Sequence, residues 1–339
     1  MSRRGLICAA GSLLAIRDSW SQAAEPRRLD LHHHFATPKF KALLAQGQRQ
    51  GWETFQPYDP AKDVEAMDQG GVATAFLSIT TPGLYLGDDL ASERDRAIAL
   101  ARDMNDSGAR LVRDFKGRFG LFAVLPLPDV DASLKEIAYA FDTLKADGVG
   151  LQTNYGDKWL GDAVYKPVFD ELNRRKAVVY VHPLVASCCA QLNVGAFPAV
   201  IEVPHDTTRT VTSLLLSGGF AHWRNIQWLF SHAGGTIPVM AGRIDAFYGR
   251  SKSNVQEFAP EGIIGELRRL NYDTANATSA PTMAALLKLV PASKITYGTD
   301  YPYFGFDQFK NLEQLGLEAS DLKAIGSENA IKLIPRFAT

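Results

Sequence analysis

The sequence predicts an α/β fold, a (β/α)8 TIM barrel with a small insertion in the first βα loop. Short apolar segments rich in β-branched residues alternate with longer helical patterns across residues 28–336. Most of the short segments are apolar throughout, as expected of parallel strands that helices cover on both faces. No glycine-rich phosphate-binding motif follows the first strand, which argues against an open dinucleotide-binding sheet. Repeated strand and helix units of this kind favour a closed barrel.

Eight segments are predicted as strands on these grounds. They cover residues 28–32, 72–79, 119–125, 149–153, 177–182, 226–231, 270–273 and 294–298. Between them, apolar residues at i, i+3, i+4 and i+7 predict a helix over 134–144, with Gly148 as its stop. Residues 37–59 do not fit the alternation. We interpret that stretch as the loop insertion, covering the mouth of the barrel.

The bulk composition is that of a globular protein with a large core. Of the 339 residues, 46% are apolar and 22% are charged, and the formal net charge is −1. A charge so close to zero gives no indication of nucleic acid or of an anionic membrane as a partner. The three cysteines include the adjacent pair Cys188 and Cys189, whose spacing is poor for an ordinary disulfide. A small anion can still be bound locally by a few arginines.

The first 23 residues resemble a signal peptide of the twin-arginine type. Arg3 and Arg4 precede an apolar run over residues 5–16, and small residues up to Ala23 suit a cleavage site. The run is shorter than the ~20 apolar residues that span a bilayer. Cleavage after Ala23 changes the net charge from −1 to −3. We expect a periplasmic or secreted protein if the signal is real and a cytoplasmic one otherwise.

Four histidines lie at the carboxyl ends of predicted strands, where the active sites of such barrels are built. His32 and His34 close the first strand, His182 closes the fifth and His232 closes the sixth. Asp300 follows the eighth strand. Each residue alone has an ordinary structural explanation. Their occurrence at these strand ends, in chain order, predicts a metal site.

The geometry of a barrel explains how these residues meet. Because residues i and i+2 of a strand point to the same side, His32 and His34 present two imidazoles to one ion. The eighth strand closes against the first and brings Asp300 beside them, while His182 comes from across the barrel. Three imidazoles and one carboxylate suit Zn²⁺, or Mn²⁺ or Fe²⁺ in a more open site.

Seven short motifs also occur in order along the chain. They are Asp30-Leu31-His32-His33-His34-Phe35, Leu151-Gln152-Thr153-Asn154-Tyr155, Val181-His182-Pro183, Asp206-Thr207-Thr208-Arg209, Phe230-Ser231-His232-Ala233-Gly234-Gly235, Tyr272-Asp273-Thr274-Ala275 and Gly298-Thr299-Asp300-Tyr301-Pro302. On these motifs, residues 29–334 resemble the amidohydrolase-related decarboxylases, the group of aminocarboxymuconate-semialdehyde decarboxylase. Within that group they are most similar to 6-methylsalicylate decarboxylase-like members.

The resemblance implies that His32, His34, His182 and Asp300 hold one divalent ion, and that His232 contacts water or substrate beside it. It also implies that Arg243 helps to hold a substrate carboxylate across a homodimer interface. Binuclear amidohydrolases use a carbamylated lysine on the fourth strand. Residues 148–153 contain no lysine, which argues for a single ion.

Other residues are candidates for contact with substrate. The resembling family usually has phenylalanine at the position of His205. This histidine is a candidate to reach substrate from the loop after the fifth strand, although an ordinary exposed loop histidine explains it too. Trp52, with Phe55 and Tyr85, is a candidate wall for an aromatic ring, although packing alone explains these residues too. Arg250 is a second candidate anchor for a carboxylate.

The favoured activity is metal-dependent, non-oxidative decarboxylation of a small aromatic carboxylate such as 6-methylsalicylate or a related hydroxybenzoate. Release of CO₂ requires a proton at the ring carbon, for which Asp300 and His232 are the candidate acids. The alternative is hydrolysis of a lactone or ester with the same mononuclear site, since fold alone does not fix chemistry. A third possibility is a secreted metal-binding protein without catalysis.

Overall fold

The computed structural model of the chain describes residues 28–46, 58–87, 89–189, 192, 194–249 and 255–338. The predicted signal peptide over residues 1–23 lies outside the described residues, as do Trp52, Phe55 and Arg250. The predicted insertion over residues 37–59 is described only at its two ends. Its first part forms a helix whose residues Phe40 and Leu43 are buried in the core.

Eight parallel strands form the sheet, and each is hydrogen-bonded to the next in chain order. The strands are β1 (Arg28–His34), β2 (Val72–Ser78), β3 (Phe119–Val124), β4 (Gly148–Gln152), β5 (Val178–His182), β6 (Gln227–Phe230), β7 (Asn271–Asp273) and β8 (Ile295–Thr296). All eight predicted strands are present, with bounds that differ by at most two residues at either end. A short antiparallel hairpin follows β4, formed by Asn154–Tyr155 and Lys158–Trp159.

Backbone hydrogen bonds close the sheet from β8 back to β1. The Leu31 N–H donates to the Tyr297 carbonyl at 3.0 Å, and the Asp300 N–H donates to the His32 carbonyl at 2.8 Å. The His34 N–H donates to the Tyr301 carbonyl at 2.9 Å. The predicted (β/α)8 TIM barrel is therefore confirmed.

Helices surround the barrel and cover the outer face of the sheet. The α-helices are α1 (Pro38–Gln46), α2 (Pro60–Gly70), α3 (Arg94–Asp114), α4 (Val130–Ala138), α5 (Lys166–Arg174), α6 (Pro198–Leu216), α7 (Gly219–His222), α8 (Ile237–Ile244), α9 (Val255–Phe258), α10 (Gly262–Arg269), α11 (Ala280–Leu289), α12 (Gln308–Glu313), α13 (Ala319–Lys323) and α14 (Asn329–Leu333). Single π-helical segments continue α4, α8 and α13 over Tyr139–Leu144, Asp245–Gly249 and Ala324–Glu328. Among the helices that the structure describes, none is both long and apolar enough to cross a membrane.

The helix predicted over residues 134–144 is present, but its predicted stop is wrong. The helical segment ends at Lys145, which adopts a left-handed conformation with φ of 58°. Gly148 is instead the first residue of β4. A side chain there would meet the Val178 carbonyl oxygen, so close strand packing explains this glycine better than helix capping does.

Apolar side chains fill the barrel from inside as well as covering it from outside. Phe76, Phe122 and Tyr180 stack in sequence across the interior, with ring centroids 5.3 and 5.4 Å apart. Gly120 makes room for this stack, because a Cβ there would lie 2.4 Å from the Phe76 ring. Residues near the carboxyl terminus, including Ile334, pack against the same interior cluster. These side chains thus fill the barrel at the end where its strands begin. The polar side chains that face inward lie at the opposite end.

A β-bulge in β1 sets which side chains enter the barrel. Asp30 pairs with Ala75 and His33 pairs with Leu77, so three steps along β1 match two steps along β2. Leu31 belongs to the interior cluster, and the extra residue lets His32 face inward as well. Asp30 and His33 then share the opposite side, where their side chains are hydrogen-bonded at 3.2 Å.

Candidate metal centre

The four predicted ligands meet at the carboxyl end of the barrel. One ligand atom from each of His32, His34, His182 and Asp300 can be chosen so that all four lie within 4.8 Å of one another. All four residues are buried. The ring centroids of His34 and His182 lie 4.6 Å apart although their strands are on opposite sides of the barrel. The structure thus brings together the residues that the strand-end pattern selected.

The barrel seam holds Asp300 in position. Its backbone adopts φ of 61°, a left-handed conformation that aspartate tolerates better than most residues. Its N–H is bonded to the His32 carbonyl, so the loop after β8 is tied to β1 at the ligand itself. The Asp300 Oδ1 atom lies 3.2 Å from His32 Nε2 and 3.0 Å from His34 Nε2.

Neighbouring groups fix the tautomer of two ligands. His32 Nδ1 lies 2.8 Å from Asp273 Oδ2, and an ionised carboxylate only accepts, so Nδ1 carries the proton. Ser78 Oγ donates to the His33 carbonyl at 3.0 Å, so it is left to accept from His34 Nδ1 at 3.1 Å. Both Nε2 atoms therefore point toward the cluster, as ligation requires.

Unpartnered atoms at this position fit a metal ion. Neither ring nitrogen of the buried His182 has a hydrogen-bond partner within the described part of the chain, and His32 Nε2 makes no hydrogen bond either. Buried polar atoms are rarely left in this state without a ligand or an ion. Three imidazole nitrogens and one carboxylate oxygen are a donor set that suits a single divalent cation.

The charges around the cluster favour a cation. Burial by itself lowers the pKa of His32, but the adjacent Asp273 and Asp300 carboxylates outweigh it and raise the pKa to about 10. For Asp300, burial raises the pKa, yet His32 and His34 hold it well below its usual range. Burial, reinforced by the nearby His34 and His32, holds the pKa of His182 well below its ordinary value. Asp300 is thus anionic and His182 is neutral, the states that ligands need, and a metal ion would replace the proton that His32 Nε2 holds without one.

His232 lies beside the four ligands without joining them. Its Nδ1 is 2.8 Å from the Ala275 carbonyl oxygen, which only accepts, so the neutral ring carries its proton there. Its Nε2 atom lies 3.9 Å from Asp300 Oδ2. Burial, and next His32, lowers the pKa of His232 below its ordinary value. The imidazole is therefore a neutral group that can accept or return a proton within the site.

His33 belongs to a separate buried network on the outer side of β1. Its Nδ1 contacts Asp30 Oδ2 at 3.2 Å and its Nε2 contacts Asp63 Oδ2 at 3.0 Å. Burial lowers the pKa of His33, but Asp63 and Asp30 raise it to about 10. The other Asp30 oxygen accepts from the backbone N–H groups of His32 and Thr299, each at 3.0 Å. Asp30 thus joins β1 to the turn that carries Asp300.

The residues predicted to contact substrate are placed differently. Arg243 lies on the exposed side of α8, with its guanidinium 4.9 Å from the centroid of the Phe247 ring. No ion pair or hydrogen bond joins it to the four-residue cluster across the ranges that the structure covers. His205 is exposed and lies within α6, so the loop expected there is a helix. Tyr85 is partly buried and packs against the apolar core that lies between the sheet and the helices.

Two buried aspartates were given no role from the sequence: one supports a ligand, and the other joins the segment after β4 to α6. Asp273 ends β7 and binds His32, so the rule that selected the histidines, polar residues at strand ends, applies to it equally. Asp206 is buried and accepts from Asn154 Nδ2 at 2.6 Å, from Trp159 Nε1 at 2.9 Å and from the Thr153 hydroxyl. No local pattern shows this network, because its members come from separate elements.

A closed parallel barrel with a buried cluster of three histidines and one aspartate at its carboxyl end defines an enzyme of the metal-dependent (β/α)8 class. The chain belongs to the amidohydrolase family described as Amidohydro_2, whose model matches residues 29–336. The resemblance stated from the sequence motifs is therefore confirmed.

Three known proteins illustrate the relationship. The decarboxylase yanB of Aspergillus niger is 32% identical over 329 residues, covering 91% of this chain and 88% of the relative. The 6-methylsalicylic acid decarboxylase of Penicillium expansum is 34% identical over 320 residues, covering 91% and 97%. The solved dihydroxybenzoic acid decarboxylase of Polaromonas sp. JS666, crystallised with manganese and the inhibitor 2-nitroresorcinol, has a TM-score of 0.78 at 23% identity, covering 91% and 96%. That last similarity concerns the fold.

Replacing Asp273 with Asn tests its support of the metal centre. The substitution removes the carboxylate that orients His32, so we expect metal affinity to fall by roughly 10–100-fold with the protein still folded. Affinity is measured by competition with a chelator of known strength. Asp157→Asn, at a side chain that is 90% exposed, is the matched control and should keep full affinity. Equal affinity in D273N and the wild type would contradict this role.

Proposed function

We propose that this protein is a metal-dependent, non-oxidative decarboxylase of 6-methylsalicylate or a related hydroxybenzoate, releasing CO₂. The observation that carries the proposal is a buried His32–His34–His182–Asp300 cluster beside the free Nε2 of His232. It occurs in a chain related over almost its whole length to a 6-methylsalicylic acid decarboxylase. Hydrolysis of a lactone or ester is the weaker alternative, because the relatives named above are decarboxylases.

His32, His34, His182 and Asp300 would hold one divalent ion, for which we propose Zn²⁺ first and Mn²⁺ as the alternative. Nitrogen-rich donor sets with one carboxylate are common for Zn²⁺. The manganese in the Polaromonas enzyme supports the alternative. Such an ion supplies Lewis acidity and a template that orients the carboxylate and ortho-oxygen of the acid.

The chain's own residues would then handle one proton. Breaking the bond between ring and carboxyl carbon releases CO₂ and leaves the electron pair on the ring carbon, which must receive a proton. Asp300 Oδ2 and His232 Nε2 face the same space and are the two groups placed to take up this proton from solvent and pass it to the ring carbon. Because Nδ1 of His232 is fixed on the Ala275 carbonyl, only Nε2 exchanges a proton with the site.

We also propose that the protein works as a homodimer. Around Arg243, the apolar side chains of Val239 and Phe247 are 69% and 62% exposed, and Tyr248 is exposed as well. Apolar exposure on one side of a helix favours contact with another protein surface. A second copy placed there would cover these side chains and direct Arg243 toward a substrate carboxylate bound in the partner. Within one chain, no hydrogen bond or ion pair among the described residues joins Arg243 to the four ligands.

Turnover should depend on the ion. Purified protein is expected to contain about one divalent ion per chain and to release CO₂ from 6-methylsalicylate. Exhaustive chelation should abolish this release, and adding back Zn²⁺ or Mn²⁺ should restore it. Metal content is measured by mass spectrometry and CO₂ by a coupled assay. Opening of lactones without CO₂ release would favour the hydrolase, and full activity after chelation would exclude the proposed site.

Replacing His232 with Asn should separate catalysis from metal binding. The four ligands are untouched, so metal content should match the wild type. CO₂ release should fall by about 100-fold or more, because a group that holds the transferred proton is lost. His222→Asn on α7 makes the same change at an exposed histidine and is the control. Unchanged turnover in H232N would remove His232 from the mechanism.

The dimer is tested by the mass of the protein in solution. The wild type should run at twice the chain mass, and Val239→Asp should yield monomers because it introduces a charge into the apolar contact. Val164→Asp, at another exposed valine, should leave the mass unchanged. Light scattering after size exclusion gives each mass. A wild-type monomer at working concentration would refute the proposal.

A further inference from the structure

Gln152 is the last residue of β4 and faces the inside of the barrel. Its partner in the sheet register is the predicted ligand His182 on β5. Register partners of parallel strands point to the same side of a sheet, so the amide and the imidazole are neighbours. The preceding residue, Leu151, belongs to the outer core, as strand alternation requires if Gln152 points inward.

The side-chain amide of Gln152 is buried and makes no hydrogen bond to the described residues. The residue is only 3% exposed, and neither Oε1 nor Nε2 has a hydrogen-bond partner in the portion of the chain that is described. Its side chain lies close to the loop after β2. That loop passes close at Gly83, where φ is 76° and an added Cβ would lie 3.4 Å from Gln152 Cγ. A buried amide that makes no hydrogen bond within the chain is available to a ligand from outside it.

The groups around it show which partner it suits. The Asp300 carboxylate and the unprotonated Nε2 atom of His232 accept hydrogen bonds, and the neutral ring of His182 offers one ligand nitrogen and a single N–H. The Ser78 hydroxyl is already engaged by the His33 carbonyl. A carboxylate accepts hydrogen bonds only and therefore requires donors. Gln152 Nε2 offers two N–H groups beside the metal centre.

We propose that Gln152 contacts the substrate, donating from Nε2 to the carboxylate of the aromatic acid, and that it helps to select acids as substrates. The inference rests on the proposed function. It adds a residue of this chain to the anchoring that Arg243 would provide from a partner. Gln152 is not required to hold the ion, since the four ligands are complete without it.

Two substitutions test the contact. Gln152→Met keeps the length and removes the hydrogen bond, and it should lower kcat/KM for 6-methylsalicylate by roughly 10–100-fold, mainly through KM. Gln152→Glu keeps the shape but replaces the donor with a like charge, and it should lower kcat/KM at least as far. Both variants should retain the metal content of the wild type. Gln69→Met, at an exposed glutamine of α2, is the matched control and should leave kcat/KM unchanged.

Several results would overturn the assignment. A kcat/KM within twofold of the wild type in either Gln152 variant would do so. A loss of activity that follows the loss of bound metal would instead place Gln152 in the structure of the site and equally overturn it. Either result leaves decarboxylation by the wild type standing.

Failure of the proposed function is recognised separately, as a metal-loaded wild type that releases no CO₂ from any hydroxybenzoate. In that case Gln152 is judged by calorimetric binding of 2-nitroresorcinol, whose nitro group has the shape of a carboxylate. Binding to Q152M at least tenfold weaker than to the wild type supports the contact. Equal binding refutes it.

Discussion

The hydrogen bond from the Asp300 N–H to the His32 carbonyl, 2.8 Å long, is the contact on which the site depends. It lies at the seam where the last strand of the barrel meets the first. It thereby fixes the separation between Asp300, which lies late in the chain, and His32, which lies early in it. Asp30 strengthens the same seam, because one of its oxygens accepts from both His32 and Thr299. An open sheet with the same strands would leave Asp300 at one edge and the histidine pair at the other.

The seam also explains why buried charge is tolerated here. Asp30, Asp273 and Asp300 are all buried; the first two hydrogen-bond to His32, and the third is itself a ligand. Isolated charges of this kind cost several kcal/mol each, so they require cations or donors close by. His33 takes this role for Asp30, and backbone N–H groups together with His32 take it for Asp273. Among the described residues, the side-chain partners of the Asp300 carboxylate are the imidazoles of His32, His34 and His232, and a divalent ion held between them would remove the remaining imbalance.

The sequence could predict the barrel and the four-residue cluster because both follow from short-range periodicity. Apolar runs mark strands, and the rule that residues i and i+2 share a side connects His32 with His34. The bulge that lets Leu31 and His32 face inward together has no such signal, since it appears only in the register with β2. His205 was expected in a loop, but it lies within α6. The helix places its side chain at the surface.

The buried polar atoms that have no hydrogen-bond partner connect the fold with its chemistry more closely than the four metal ligands do. The barrel interior is sealed at one end by stacked aromatic rings, so polar side chains that face inward have partners only near the mouth. His34 and His232 find theirs in the protein and are thereby oriented. His182 and Gln152, adjacent in the register, have none within the described ranges. Many reactions use this barrel scaffold. Which reaction a given barrel performs depends on the polar atoms left without partners, because they determine which ligand completes the site.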